Sequence, residues 1–208
     1  MITLAITILA ALFSVVNPLG AIPMFLSLTA DYTSVERSKT SFLTSIYFVL
    51  LLLSFFWAGT YILSFFGVSI AALRAAGGLV IIMSGFALLS GNMVKRRIGD
   101  KVKEEAIEKE DISFTPMAMP MLSGPGSISL LIGYFATYPD ITSKAVISLV
   151  IVVMGGIIYS ILRFSPVLFK FLGRGGLKAV ARIMGFIVLA IGIEYIISGL
   201  MQLVKMYW

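Results

Sequence analysis

The stretch Asn17-Pro18-Leu19-Gly20-Ala21-Ile22-Pro23 interrupts an otherwise apolar segment, Ile2–Leu28. A second break, Ser123-Gly124-Pro125-Gly126-Ser127, lies inside another such segment, Pro116–Tyr138, and Pro125 follows Pro18 by 107 residues. Proline removes a backbone donor and clashes with the preceding turn, so each motif breaks a helix. Such breaks at membrane depth are tolerated only where protein or a water-filled cavity satisfies the freed backbone groups. A matched pair in corresponding halves of a chain points to a transporter's substrate site.

Lipid as the solvent follows from composition. The 208 residues are 59% hydrophobic and 12% charged, about half the charge of a soluble domain. Residues Ser41–Phe66, Ala145–Leu162 and Ile183–Ile193 carry no charge at all, and a membrane span needs about 20 such residues. The pattern is too continuous for a surface helix, and strand-like alternation is weak. Six spans are expected: Ile2–Leu28, Ser41–Leu63, Ile70–Gly91, Pro116–Tyr138, Ser143–Phe164 and Arg182–Val204. Met1–Val16 lacks a positive leader region and reads as a retained first span.

The loops alternate in charge. One side holds Arg37 and Lys39, then Lys95, Arg96, Arg97, Lys101, Lys103 and Lys109, then Arg163, Lys170, Arg174 and Lys178. The other clearly holds only Lys144 and Lys205, with Arg74 near a span start. Cytoplasmic loops carry the excess of Lys and Arg, so both termini are expected outside and the linker 93–115 in the cytoplasm. The net charge of +6 is accounted for in this way, and nucleic-acid binding is not expected.

The halves read as one design. Pro18 maps to Pro125 at an offset of 107. An offset of 108 carries Arg74 to Arg182, Gly77 to Gly185, Ser84 to Gly192, and Ser90-Gly91 to Ser198-Gly199. Residues 1–92 and 116–208 then form two three-span repeats joined by the linker. Three spans is an odd number, so the second repeat enters from the opposite side. The expected fold is an all-α membrane protein, a 3+3 inverted-topology repeat with helices 1 and 4 broken at the Pro/Gly motifs. Gly77, Ser84 and Gly91 recur every seven residues, as do Gly185, Gly192 and Gly199. Such seams let helix backbones approach closely.

With no Cys and no His, the chain lacks thiol nucleophiles, disulfides and the usual zinc, haem and iron–sulfur ligands. The spans hold no acid pair, and no nucleotide-binding glycine loop is present. No enzyme activity, metal or cofactor is expected. The breaks offer a different chemistry. Half-helix N-termini favour anions, while freed carbonyls favour an ammonium or a cation. Both poles in one pocket suit a small zwitterion. The candidate pocket residues are Ser14, Asn17, Pro18, Gly20, Ser123, Gly124, Pro125, Gly126 and Ser127, with Ser129 nearby. Glu194 lies roughly 18 Å along the helix from Arg182, deep in the last span. An acid there is costly and functional as a rule, which makes it the candidate for coupling to protons. Arg74 and Arg182 open the third and sixth spans, placed to reach the interface or to hold helix ends.

The NPLGAIP motif of the first span and AMPMLSGPGSIS of the fourth resemble the MarC/SnatA family of membrane proteins. The runs Arg74–Gly91 and Arg182-Ile-Met-Gly are similar to it too. The motif carries over to Asn17, Pro18, Gly20, Pro23, Gly124, Pro125 and Gly126. Glu194 departs from the family pattern, which commonly has Gln there. The resemblance implies a six-span transporter of small neutral amino acids such as glycine and alanine, driven by an H+ or Na+ gradient across the cytoplasmic membrane. The alternative is a channel or exporter of small solutes or drugs without tight coupling. A homo-oligomer is compatible with the sequence.

Overall fold

The computed structural model describes residues 1–90 and 111–207. They form helices α1 (Ile2–Val16), α2 (Pro18–Leu28), α3 (Ser34–Phe65), α4 (Ile70–Ser90), α5 (Pro125–Thr137), α6 (Ile141–Arg163) and α7 (Ser165–Tyr207), with an irregular segment Ser113–Leu122 before α5. There is no strand among the described residues. Most of the expected linker, and the seam residue Gly91, lie outside the described residues. Helices α3, α4, α6 and α7 are each long and apolar enough to cross a membrane. The bent pair α1–α2 brings the number to five.

The bend between α1 and α2 is 41°, and a single residue makes it. Asn17 sits at φ 48°, ψ 66°, a left-handed conformation that Asn tolerates better than most side chains. Its N–H still bonds to Phe13 O at 2.8 Å and closes α1. Its side-chain oxygen accepts from Gly20 N–H at 3.3 Å and caps α2. Pro18 follows as the first residue of α2, where its missing N–H has no helical partner to lose.

The segment expected as a fourth span, Pro116–Tyr138, is not a regular helix over its first part. Pro116, Pro120 and Pro125 remove three donors in close succession. Thr115 (φ −119°, ψ 121°) and Met119 (φ −132°, ψ 127°) are extended, the bias a following proline imposes, and both Thr115–Pro116 and Met119–Pro120 are cis. The backbone bonds that remain span a wider turn: Met117 N–H to Ile112 O at 3.3 Å, and Ser123 N–H to Ala118 O at 2.8 Å. Ser113, Pro116, Met117, Ala118, Met121 and Leu122 are buried against the helices. The 13 residues of α5 reach about 20 Å at 1.5 Å per residue, short of a hydrocarbon core of about 30 Å.

Two further helices outrun their expected bounds. α3 begins at Ser34 because Thr33 and Glu36 form a reciprocal cap: Thr33 N–H donates to Glu36 Oε2 at 2.7 Å, and Glu36 N–H to Thr33 Oγ1 at 3.3 Å. α7 runs from Ser165 with a break at Gly173, φ 62°.

One core packs α1, α2, α3 and α6 around Phe25, Phe48, Leu52, Phe56, Ile151 and Met154. A smaller one joins Val15, Ile81, Leu88, Leu130 and Val188. Helices α4 and α7 pack antiparallel along small residues. A Cβ on Gly78 would lie 2.7 Å from Gly192 O, and one on Gly85 would lie 3.0 Å from Gly185 O. One on Gly199 would lie 2.7 Å from Ala75 N. The α7 side of this seam is Gly185, Gly192 and Gly199. On α4 the facing residues are Gly78 and Gly85, one step on from Gly77 and Ser84. Gly77 instead admits Ser129 of α5.

Candidate functional site

Where the irregular segment gives way to α5, a cavity of about 220 Å³ is lined by Pro120, Leu122, Gly124, Pro125, Gly126 and Ser127, together with Val15 of α1 and Ser84 of α4. Its form follows from glycine. A Cβ on Gly126 would stand 3.2 Å from Ile81 Cγ1 and 3.5 Å from Val15 Cγ1, so α5 can start this close to α1 and α4 only without a larger side chain there. Gly124 is the N-cap of α5 and Pro125 its first residue. The first N–H groups of a helix have no intrahelical acceptor and carry its positive pole. The Ser127 hydroxyl donates to Gly124 O at 2.8 Å, and that of Ser84 to Val80 O at 3.0 Å. Both oxygens keep lone pairs for a further donor. The cavity therefore offers backbone donors, hydroxyl oxygens and little room.

Gly124, Pro125, Gly126 and Ser127 thus share one cavity, and the other sequence-derived candidates lie around it. Ser14 is buried, with its hydroxyl donating to Ala10 O at 2.8 Å within α1. Asn17 and Pro18 are buried as the cap and first residue of α2. Gly20 lines a different, larger cavity. Ser123 is buried, and its hydroxyl has no hydrogen-bond partner among the described residues. Ser129 donates to Leu73 O at 3.3 Å, tying α5 to α4. Of the first break's surroundings, only Val15 reaches the central cavity.

Two more cavities lie beyond this one along the same helices. The first, about 410 Å³, is lined by Thr7, Ala11, Arg74, Tyr134, Glu194 and Tyr195, among others. The third, about 560 Å³, is lined by Gly20, Pro23, Ser27, Leu88, Arg174 and Lys178, among others. The lining residues keep chain order. Along α1 and α2 they run Thr7, Ala11, then Val15, then Gly20 and Ser27. Along α4 they run Arg74, Ser84, Leu88, and along α5, Thr137 and Tyr134, then Ser127 and Gly126. The three cavities form a file along the same helices, with the central one at the second break and the third beside the first break.

Arg74 is 7% exposed, far from snorkelling. Its guanidinium donates to Gly133 O at 3.2 Å, to Ser198 Oγ at 3.3 Å and to the Thr137 hydroxyl, so it holds the C-terminal end of α5 against α7. Arg182, its counterpart at the 108 offset, is exposed. Glu194 is exposed at the first cavity rather than enclosed by protein. Tyr195, which sequence reading passed over, donates to Ser129 O at 2.9 Å. A tyrosine beside the lone acid of an apolar span was the available signal.

A file of cavities through a bundle of span-length apolar helices, centred on irregular backbone that other helices bury, defines a multi-pass membrane protein with an internal polar site. The chain belongs to the MarC family of integral membrane proteins, which it matches over residues 2–204. It is similar to the inner membrane protein MarC of Salmonella typhimurium, at 31% identity over 209 residues, covering 96% of this chain and 95% of the relative. The corresponding proteins of Citrobacter koseri, 32% identical over 209 residues, and of Escherichia coli O1:K1, 31% over 210, are covered to the same extent. No solved structure matches. The relatives' names and the apolar helices together make this an inner-membrane, multi-pass protein.

Proposed function

We propose that the chain is a secondary transporter of small neutral amino acids, glycine- or alanine-like, working by alternating access and coupled to an H+ or Na+ gradient. The central cavity carries this reading. Its 220 Å³ falls below the roughly 300–1,000 Å³ of pockets for drug-sized ligands, which favours a small solute. The N-terminal turn of α5 supplies donors for a carboxylate. The carbonyl of Pro120 and the hydroxyls of Ser84 and Ser127 supply acceptors for an ammonium. Substrate would pass along the file of cavities, and the α4–α7 seam is the surface on which one half would rock against the other.

A six-span inverted repeat fits this reading. Counting α1 with α2 as one broken span, and 113–137 as another, gives six. The burial of Ser113, Pro116, Met117, Ala118, Met121 and Leu122 supports that count, because irregular backbone at membrane depth survives only inside protein. The seam supports the two-fold relation. Gly78 and Gly85 lie three before and four after Ile81, while Gly185 and Gly192 lie four before and three after Leu189. Ile81 and Leu189 are themselves 108 apart, the repeat offset. On this reading the loop charges favour both termini outside, with the Arg74 cavity toward the outer side and the Lys178 cavity toward the cytoplasm.

Proteoliposomes given labelled alanine or glycine under imposed proton or sodium gradients test the function. Saturable, gradient-driven uptake that Gly126→Leu abolishes supports it, and no uptake or exchange under either gradient refutes it. A channel or loosely coupled exporter would instead give conductance or non-saturating flux.

A further inference from the structure

We propose that the 410 Å³ cavity beside Arg74 is a second, separate binding site, for a small zwitterion whose carboxylate meets Arg74 and whose ammonium meets Glu194. The charges of the wall select this ligand. Arg74 and Glu194 bring one full positive and one full negative charge to the same cavity from α4 and α7. The Arg74 donors accounted for by protein all go to neutral oxygens, those of Gly133, Thr137, Ser198 and Tyr195. Its Nε is buried and has no acceptor among the described residues. A carboxylate is the strongest acceptor for a guanidinium on a cavity wall.

Spacing sets the size of the ligand. Arg74 is bonded to Ser198, which lies four residues beyond Glu194 on α7. Side chains four apart on a helix stand about 5–6 Å from each other. Glu194 and Ser198, the α7 partner of Arg74, therefore stand about one helical turn apart on one face of α7. A molecule with carboxylate and ammonium on the same or adjacent carbons bridges such a gap. A lone anion leaves Glu194 unanswered, and a lone cation faces Arg74. The site needs only binding, and it stands whether or not the chain transports.

The chain has no cysteine, which supplies the test. Purified Thr7→Cys protein in detergent carries its only thiol on this cavity's wall. Its labelling by a maleimide is followed alone and with alanine, propionate or ethylamine. Alanine is expected to slow labelling about tenfold or more at concentrations where the other two do not. Adding Glu194→Gln raises the alanine concentration needed for half protection about tenfold, the loss of one charge-assisted hydrogen bond. Equal protection by all three probes, no protection, or protection indifferent to Glu194→Gln overturns the proposal. Absent alanine flux with protection intact would sink the transporter reading and leave this site standing.

Discussion

Gly78→Ala puts the α4–α7 seam under direct strain. The added Cβ would lie 2.7 Å from Gly192 O, 2.9 Å from Ile196 N and 2.6 Å from Ile196 Cγ1. Two of these atoms are backbone of α7 and cannot swing aside, so α7 must move back by several tenths of an ångström. A gap of about 0.5–1 Å forfeits a quarter to a half of each dispersion contact it opens. Overpacking of this kind costs about 1–3 kcal/mol, offset by about 1 kcal/mol of helix propensity gained over glycine. The net expectation is a destabilisation of about 1 kcal/mol, reaching about 2 if the seam is rigid. Gly156→Ala in α6 is the control, because a Cβ there meets nothing within 4 Å. It keeps only the propensity gain and stabilises by about 0.5–1 kcal/mol. The same chemical change thus carries opposite signs at the two positions. Unfolding by detergent titration, followed by circular dichroism, reads both. In the double variant Gly78→Ala/Gly192→Ala one separation relieves both clashes, so the combined loss is well below the sum of the singles. A Gly78→Ala protein as stable as the parent, or a fully additive double variant, would refute the reasoning that the two backbones touch.

Other substitutions follow from the same geometry. Arg74→Gln removes the clamp on the end of α5 and leaves buried acceptors short of donors, so it should destabilise by about 1–3 kcal/mol in the same titration. Glu194→Gln should flatten the pH dependence of alanine flux, and an unchanged profile would remove Glu194 as the coupling group. Asp140 caps α6 by accepting from Ser143 N–H at 2.7 Å, and that bond holds its carboxyl below the ordinary range. The cap is therefore fully present above the ordinary carboxylate pKa and is lost as pH falls through the lowered one. Amide exchange at Ser143 and Lys144 should accelerate only in that acid window.

Much of the fold was legible because lipid imposes simple rules. Charge-free runs mark most of α3 and α6 and the middle of α7, a long apolar stretch with the single charge Arg74 marks α4, and the NPLGAIP motif marks the bend at Asn17. Misjudged elements were those decided by tertiary contact. Prolines at 116, 120 and 125 announce a break, but nothing local says that the chain before Leu122 would give up the regular α-helix for wider turns and extended residues, since that depends on the helices packed against it. The seam was legible as a seven-residue spacing of small residues. Its face on α4 was displaced by one residue because Gly77 is taken up by Ser129, a neighbour no spacing rule reveals. Arg74 was visible as a charge near a span end, but its burial depends on acceptors supplied by α5 and α7. The glycines and Ser127 of the second break were legible as cavity-forming. The placement of Asn17 and Gly20 outside that cavity depends on the 41° bend, which turns α2 toward the third cavity.

Counterflow in proteoliposomes tests the central claim most directly. Vesicles holding the protein and preloaded with unlabelled alanine receive a trace of labelled alanine outside. An alternating-access carrier returns one labelled molecule for each unlabelled one released. It should accumulate label transiently, saturably and without an ion gradient, and Gly126→Leu should abolish the effect. Label that merely equilibrates, at a rate indifferent to internal alanine and to Gly126→Leu, would contradict the account.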